Sequence, residues 1–150
     1  MKILVSACLL GIPTRYDGVS KIDEKVISLL EKHVLIPVCP EQLGGLPTPR
    51  PRCEIIGGHG WTGKEKVVDE FGNDRTENYV RGAKLTFNIA RLLKIDLAIL
   101  KSKSPSCGNK CVYDGSFLGK LVEGKGVTAY FLEKNGIRVL NEREIHLIPE

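Results

Sequence analysis

Four short apolar runs constrain this chain most: Lys2-Ile-Leu-Val-Ser6, Val34-Leu-Ile-Pro-Val38, Ile95-Asp-Leu-Ala-Ile-Leu100 and Ile137-Arg-Val-Leu140. Each is too short for a helix and too apolar for a half-exposed strand, the pattern of strands buried on both faces of a parallel sheet. Pro37 marks the second run for an irregular or edge position, because proline has no N–H for a ladder. Between the runs lie amphipathic stretches. Asp23 to Lys32 places Val26, Ile27, Leu29 and Leu30 on one face, with acids in its first turn and a base at its end, as the helix dipole favours. Thr76 to Leu93 continues a helical pattern and begins at a Thr or Asp cap, and Gly126 to Lys134 closes on Asn135-Gly136. The segments Cys53–Ile56 and Lys66–Asp69, on either side of a glycine-rich turn, predict a peripheral hairpin.

Strands alternating with helices predict an α/β fold, a three-layer Rossmann- or flavodoxin-like domain with a mainly parallel central sheet and right-handed crossovers. A chain of 150 residues suits one domain, expected to span 1–150. The net charge of +4 contains no block of like charges, so no nucleic-acid tail is expected, and no apolar run reaches membrane-spanning length. Val5-Ser-Ala-Cys8 has the look of a lipoprotein cleavage box, but the apolar run is short and Gly11-Ile-Pro13 follows at once; a strand entering a loop is the expected structure, and the cytoplasm the expected compartment.

The chemistry lies in the loops. In open α/β sheets ligands collect beyond the carboxyl ends of the strands. Cys39 directly follows the second run, Cys8 stands two residues past the first, and Cys107 seven past the third, inside Lys101-Ser-Lys-Ser-Pro-Ser-Cys-Gly108. Topology thus brings three dispersed cysteines to one edge. Five cysteines in a reducing compartment favour metal binding or thiol chemistry over a disulfide framework, although each alone is also explained as a small buried hydrophobe. No Cys-x-x-Cys pair is present; Cys107 and Cys111, four apart, are the one candidate close pair, but Cys111 leads straight into the strand-like Val112-Tyr113. Three thiolates without a fourth ligand leave an open coordination position, as a catalytic metal requires.

Ser6-Ala-Cys-Leu-Leu-Gly11 with Arg15-Tyr-Asp-Gly18, Cys39-Pro-Glu-Gln-Leu-Gly-Gly-Leu46 with Thr48-Pro-Arg-Pro51, and Lys101–Gly108 with Tyr113-Asp-Gly115 together resemble one family, the thiouracil desulfurases (desulfidases), also catalogued as domain of unknown function 523. The resemblance spans essentially the whole chain. It implies a 4Fe–4S cluster on three cysteines, here Cys8, Cys39 and Cys107, whose fourth iron takes sulfur from a thiolated nucleobase. It also implies acid–base roles for Glu41 and Ser104. Arg15, Tyr16, Asp17, Arg50 and Ser106 are the candidates for substrate contact, each with an ordinary loop or turn role as the alternative. Lys101 and Lys103, near the site, would supply a basic surrounding that favours thiolate and sulfide, with solvated surface lysines as the default alternative. Cys53 and Cys111 depart from the pattern and are not expected to ligate, though either offers an alternative ligand or a disulfide partner. Trp61, His33, His59 and His146 lie away from the motifs and are expected to be structural or exposed. The rival readings are a non-catalytic cluster or sulfur-carrier protein, and a zinc-binding module.

Overall fold

The computed structural model describes residues 1–149. The chain runs β1 (Lys2–Ser6), α1 (Glu24–Ser28), β2 (Val34–Val38), α2 (Pro40–Leu43), β3 (Cys53–Ile56), β4 (Lys66–Asp69), α3 (Thr76–Leu92), β5 (Leu97–Leu100), β6 (Cys111–Tyr113), β7 (Leu121–Glu123), α4 (Val127–Lys134) and β8 (Arg138–Asn141). Four strands form a wholly parallel sheet in the order β2-β1-β5-β8. The run with Pro37 is indeed at an edge. The chain leaves β1 for β2 on one side and then crosses to β5 and β8 on the other, so the strand order reverses between β1 and β5. That reversal opens a crevice at their carboxyl ends.

Alternate side chains of the same strands feed two cores. Leu4, Ala98, Leu100 and Val139 meet Ala90 of α3 with Ala129 and Leu132 of α4, whereas Ile3, Val5, Leu97, Ile99 and Leu140 meet Val26 of α1 together with Leu29 and Ile145. The result is the expected three layers. A third cluster, with Ile55, Trp61, Val67, Tyr79 and Ala83, seats the β3–β4 hairpin on α3.

Three local expectations are refined. The helix expected over Asp23–Lys32 is five α-helical residues followed by a 3-10 turn, Leu29–Glu31; Asp23 caps it, accepting from the Lys25 and Val26 N–H groups at 3.0 and 3.1 Å. At the start of α3 the Asp cap comes from Asp74, which accepts the Thr76 N–H at 2.9 Å although the N-cap position itself is Arg75; Thr76 Oγ1 accepts the Val67 N–H, tying the helix to β4. The turn-rich stretch Asn109–Glu123 contains a second antiparallel hairpin, β6–β7.

Two glycines set how closely α2 and α3 approach. A Cβ on Gly82 would lie 1.9 Å from the Pro40 carbonyl oxygen, and one on Gly44 would lie 2.0 Å from that of Asn78. Gly82→Ala must therefore push α2 off α3. The expected result is a loss of about 1–3 kcal/mol and a Tm drop of roughly 3–10 °C, seen by thermal melting, with reduced activity because α2 follows directly on Cys39. An unchanged Tm and unchanged turnover would show that the contact is slack.

Candidate active site

β1 ends at Ser6 and the chain tightens into a 3-10 turn, Ala7–Leu10, that holds Cys8 and closes on Gly11 at φ +90°. Cys39 is the N-cap of α2, where Pro40 at the first helical position needs no hydrogen-bond acceptor. Cys107 sits in a turn wound around Ser104, whose Oγ accepts the Ser106 and Cys107 N–H groups at 3.1 and 3.0 Å. The carbonyls of Pro105 and Ser106 in turn accept the first amides of α4. Gly126 permits this approach, since a Cβ there would lie 2.6 Å from the Ser106 carbonyl carbon.

These three turns surround one cavity of about 370 Å³, lined also by Glu41, Arg50, Ser104, Ser106, Arg15 and Tyr16. The volume suits a small heterocyclic ligand. Of the residues expected to ligate, catalyse or contact substrate, Asp17 alone does not line it: its carboxylate accepts the Val19 N–H at 3.2 Å and pairs with Arg15 at 3.6 Å, organising its own turn. None of the three histidines lines the cavity, and Trp61 is buried in the hairpin core.

All five cysteines are free thiols. Burial pushes Cys8 up to about 11, against the pull of Lys101, and Cys107 up to about 12, against hydrogen bonds from Ser106 and Ser6. Cys39 rises for the same reason, opposed first by the backbone N–H of Gln42 in α2. Thiols raised in this way are poor free nucleophiles at neutral pH. They suit a metal centre, whose positive charge replaces the proton. Among the described residues no three His, Cys, Asp or Glu side chains converge closely enough to hold one metal ion. Cys53 lines the same cavity as the three strand-end cysteines, while Cys111 faces a second one with Lys103, Lys110 and Arg143.

Glu41 is held at both oxygens. Arg50 Nε donates to Oε1 at 2.9 Å and Ser106 Oγ donates to Oε2 at 2.9 Å. Arg50, its side chain 3 % exposed, spends Nη1 on Pro47 O and Thr48 Oγ1 and Nη2 on Thr14 O, so it anchors the loop while fixing the carboxylate. Ser104 Oγ stands 2.9 Å from Ser106 Oγ. Ser106 thus bridges the two residues to which the resemblance gives acid–base roles. Lys101 is gripped by Glu142 at 3.0 Å and lies beside Cys8.

Sequence reasoning passed over several lining residues. Tyr79, 2 % exposed, faces Glu41 and Cys53; burial and then the Glu41 charge push its phenol well above the tyrosine range. Ser6 donates to Cys107 Sγ at 3.6 Å and accepts the Lys101 N–H at 2.9 Å, joining β1 to the loop after β5. Glu54 and Tyr113 come from the two hairpins. A tyrosine in a helical apolar stripe carries no signal that its hydroxyl faces a cavity.

Residues 3–144 match the 2-thiouracil desulfurase family. The chain belongs to that family. Among its relatives is the uncharacterized protein YbbK of Bacillus subtilis (strain 168), 44% identical over 147 residues, which span 96% of this chain and 97% of that protein. Among solved structures, a [4Fe-4S]-dependent thiouracil desulfidase, TudS, superposes with a TM-score of 0.87 at 41% identity, over 97% of this chain and 93% of that one. The parallel sheet with its added hairpins is therefore the desulfidase fold.

Proposed function

We propose that the protein hydrolyses a thiolated nucleobase, 2-thiouracil or a close relative, to the oxo base and hydrogen sulfide. The balance is one thiocarbonyl and one water in, one carbonyl and one hydrogen sulfide out, with no net redox change. Cys8, Cys39 and Cys107 would hold a 4Fe–4S cluster; thiols spread around a cavity, rather than converging on a point, fit a multi-iron group better than a zinc ion. When bound, the cluster supplies a Lewis acid with an open position for the substrate's sulfur, which makes the adjacent ring carbon more electrophilic.

The rest is done by this chain's side chains. Glu41, fixed by Arg50 and Ser106, takes the proton of the attacking water. Ser106 and Ser104 form a continuous hydroxyl path from that carboxylate, so a proton can move between Glu41 and the Ser104 hydroxyl. Arg15 and Tyr16 line the cavity as candidate contacts to the base. The partner is a small molecule, with no stable nucleic-acid partner. No helix among the described residues is long and apolar enough to cross a membrane, and the reading places the protein in the cytoplasm.

The observation that carries this reading is the Glu41–Ser106–Ser104 chain bordering the cavity that the three thiols share. Anaerobic reconstitution should yield a brown protein with roughly four irons and matching sulfide per chain. That protein should release sulfide from 2-thiouracil with an equal amount of uracil, its new oxygen drawn from labelled water. A full cluster without release from either 2-thiouracil or 4-thiouridine would instead identify a sulfur or cluster carrier.

A further inference from the structure

Glu54 is a buried carboxylate on the cavity wall that the desulfuration chemistry above leaves without a task. It is 4 % exposed, at the second position of β3. Its Oε1 accepts two backbone N–H groups, Gly115 at 3.0 Å and Phe117 at 3.1 Å, both from the turn between β6 and β7. That clamp fixes the carboxylate plane. The turn cannot yield easily, since Gly115 sits at φ +96° with its Cα side against the Ile55 carbonyl, where a Cβ would come within 2.7 Å.

The other oxygen, Oε2, takes no donor among the described residues. It is not fully buried, since the Thr128 hydroxyl is the one fully buried, unpartnered polar side-chain atom among them. Glu54 lines the cavity that holds Cys8, Cys39 and Cys107. One oxygen is therefore held by two amides, and the other, without a donor, belongs to a side chain on the cavity wall, where burial strengthens any bond it accepts. An ionised carboxylate is an acceptor only, and its complement is an N–H donor. A cyclic thioamide carries such a donor on the nitrogen flanking its thiocarbonyl carbon.

We infer that the free oxygen of Glu54 accepts the ring N–H adjacent to the thiocarbonyl, so that this residue selects heterocyclic thioamides bearing a proton on that nitrogen. The inference rests on the desulfuration reading for its class of ligand. Glu54 acts as a specificity residue. It fixes which edge of the base faces the hairpin wall and thereby how the sulfur is directed.

The test pairs Glu54→Gln with a substrate lacking every ring N–H. Glutamine retains an oxygen for the Gly115 and Phe117 amides but turns a donor toward the cavity. Binding is measured by calorimetry on the reconstituted protein, with 2-thiouracil and with 1,3-dimethyl-2-thiouracil, alongside iron content and Tm. The wild-type protein should prefer 2-thiouracil by about ten- to a hundredfold, the size expected of a hydrogen bond to a charged acceptor. E54Q should weaken 2-thiouracil by a similar factor, leave the dimethyl base within about twofold, and keep iron content and Tm. The discrimination between the two bases should then nearly vanish.

If E54Q weakens both bases equally, or preserves the discrimination, the assignment to Glu54 is overturned while sulfide release can continue unaltered. If the discrimination depends on Glu54 but no sulfide appears, the subsite stands and the desulfuration reading fails. Absence of 2-thiouracil binding to the wild-type protein overturns both.

Discussion

Cys107→Ala is expected to remove nearly all bound iron and to lower sulfide release by at least about a thousandfold, because in the proposed reaction the cluster would supply the Lewis acid. The thiol is the most deeply placed of the proposed set: 5 % exposed, wrapped by a turn whose amides bind Ser104, and in contact with the Ser6 and Ser106 hydroxyls. Alanine removes one sulfur from a packed site and should itself cost only about 1–2 kcal/mol, so the metal-free variant should fold, and circular dichroism checks this. Cys53→Ala is the informative companion, since Cys53 lines the same cavity but comes from the hairpin and not from a strand end of the parallel sheet. It should keep full iron and most activity. Iron analysis after anaerobic reconstitution decides the matter: a Cys107→Ala protein with a full complement, or a Cys53→Ala protein without one, would overturn the ligand set.

The parts of this fold that can be seen in the sequence are those whose environment is uniform. Leu4 and Ala98 face one helical layer while Ile3 and Ile99 face the other, so β1 and β5 are apolar at nearly every position and stand out from their surroundings. Their ends are as plain as their bodies, which is why Cys8 and Cys107 could be placed beyond the sheet. α2 has only four residues, too few to display a period, and its position comes from the Gly44 and Gly82 contacts with α3. The three-residue strands of β6–β7 are too short to show a pattern, and the Glu54 clamp on their turn joins residues more than sixty apart in sequence. The site divides in the same way. Cysteine, glutamate and serine in proline-rich loops suggest chemistry by residue type, whereas the roles of Ser106, Tyr79 and Glu54 depend on which way a side chain points. Asp17 shows the converse, a motif residue whose side chain closes its own turn.

Glu41→Gln should reduce kcat by about 10²–10⁴, the range for losing a general base, with cluster content retained and KM little changed. Glutamine still offers oxygen to Arg50 and fills the same space, so the wall of the cavity keeps its shape; it also leaves the Arg50 charge without its counter-ion, so Tm is read beside kcat. Glu41→Ala is a different experiment. It strips the carboxylate from a guanidinium whose side chain is 3 % exposed, and an uncompensated buried charge destabilises by about 3–5 kcal/mol; the three carbonyl and hydroxyl acceptors that Arg50 retains should hold the loss near the lower end. Activity lost in the Ala variant would therefore confound chemistry with architecture, as a lowered Tm would reveal. The hydroxyl path adds a sharper requirement. If Ser106 conveys protons between Glu41 and Ser104, then Ser106→Ala breaks the same route that Glu41→Gln disables, and the double variant should be scarcely slower than Glu41→Gln alone. Multiplicative losses would mean that the serine and the glutamate act independently, and Ser106 would then be a packing partner for the carboxylate with no part in moving its proton.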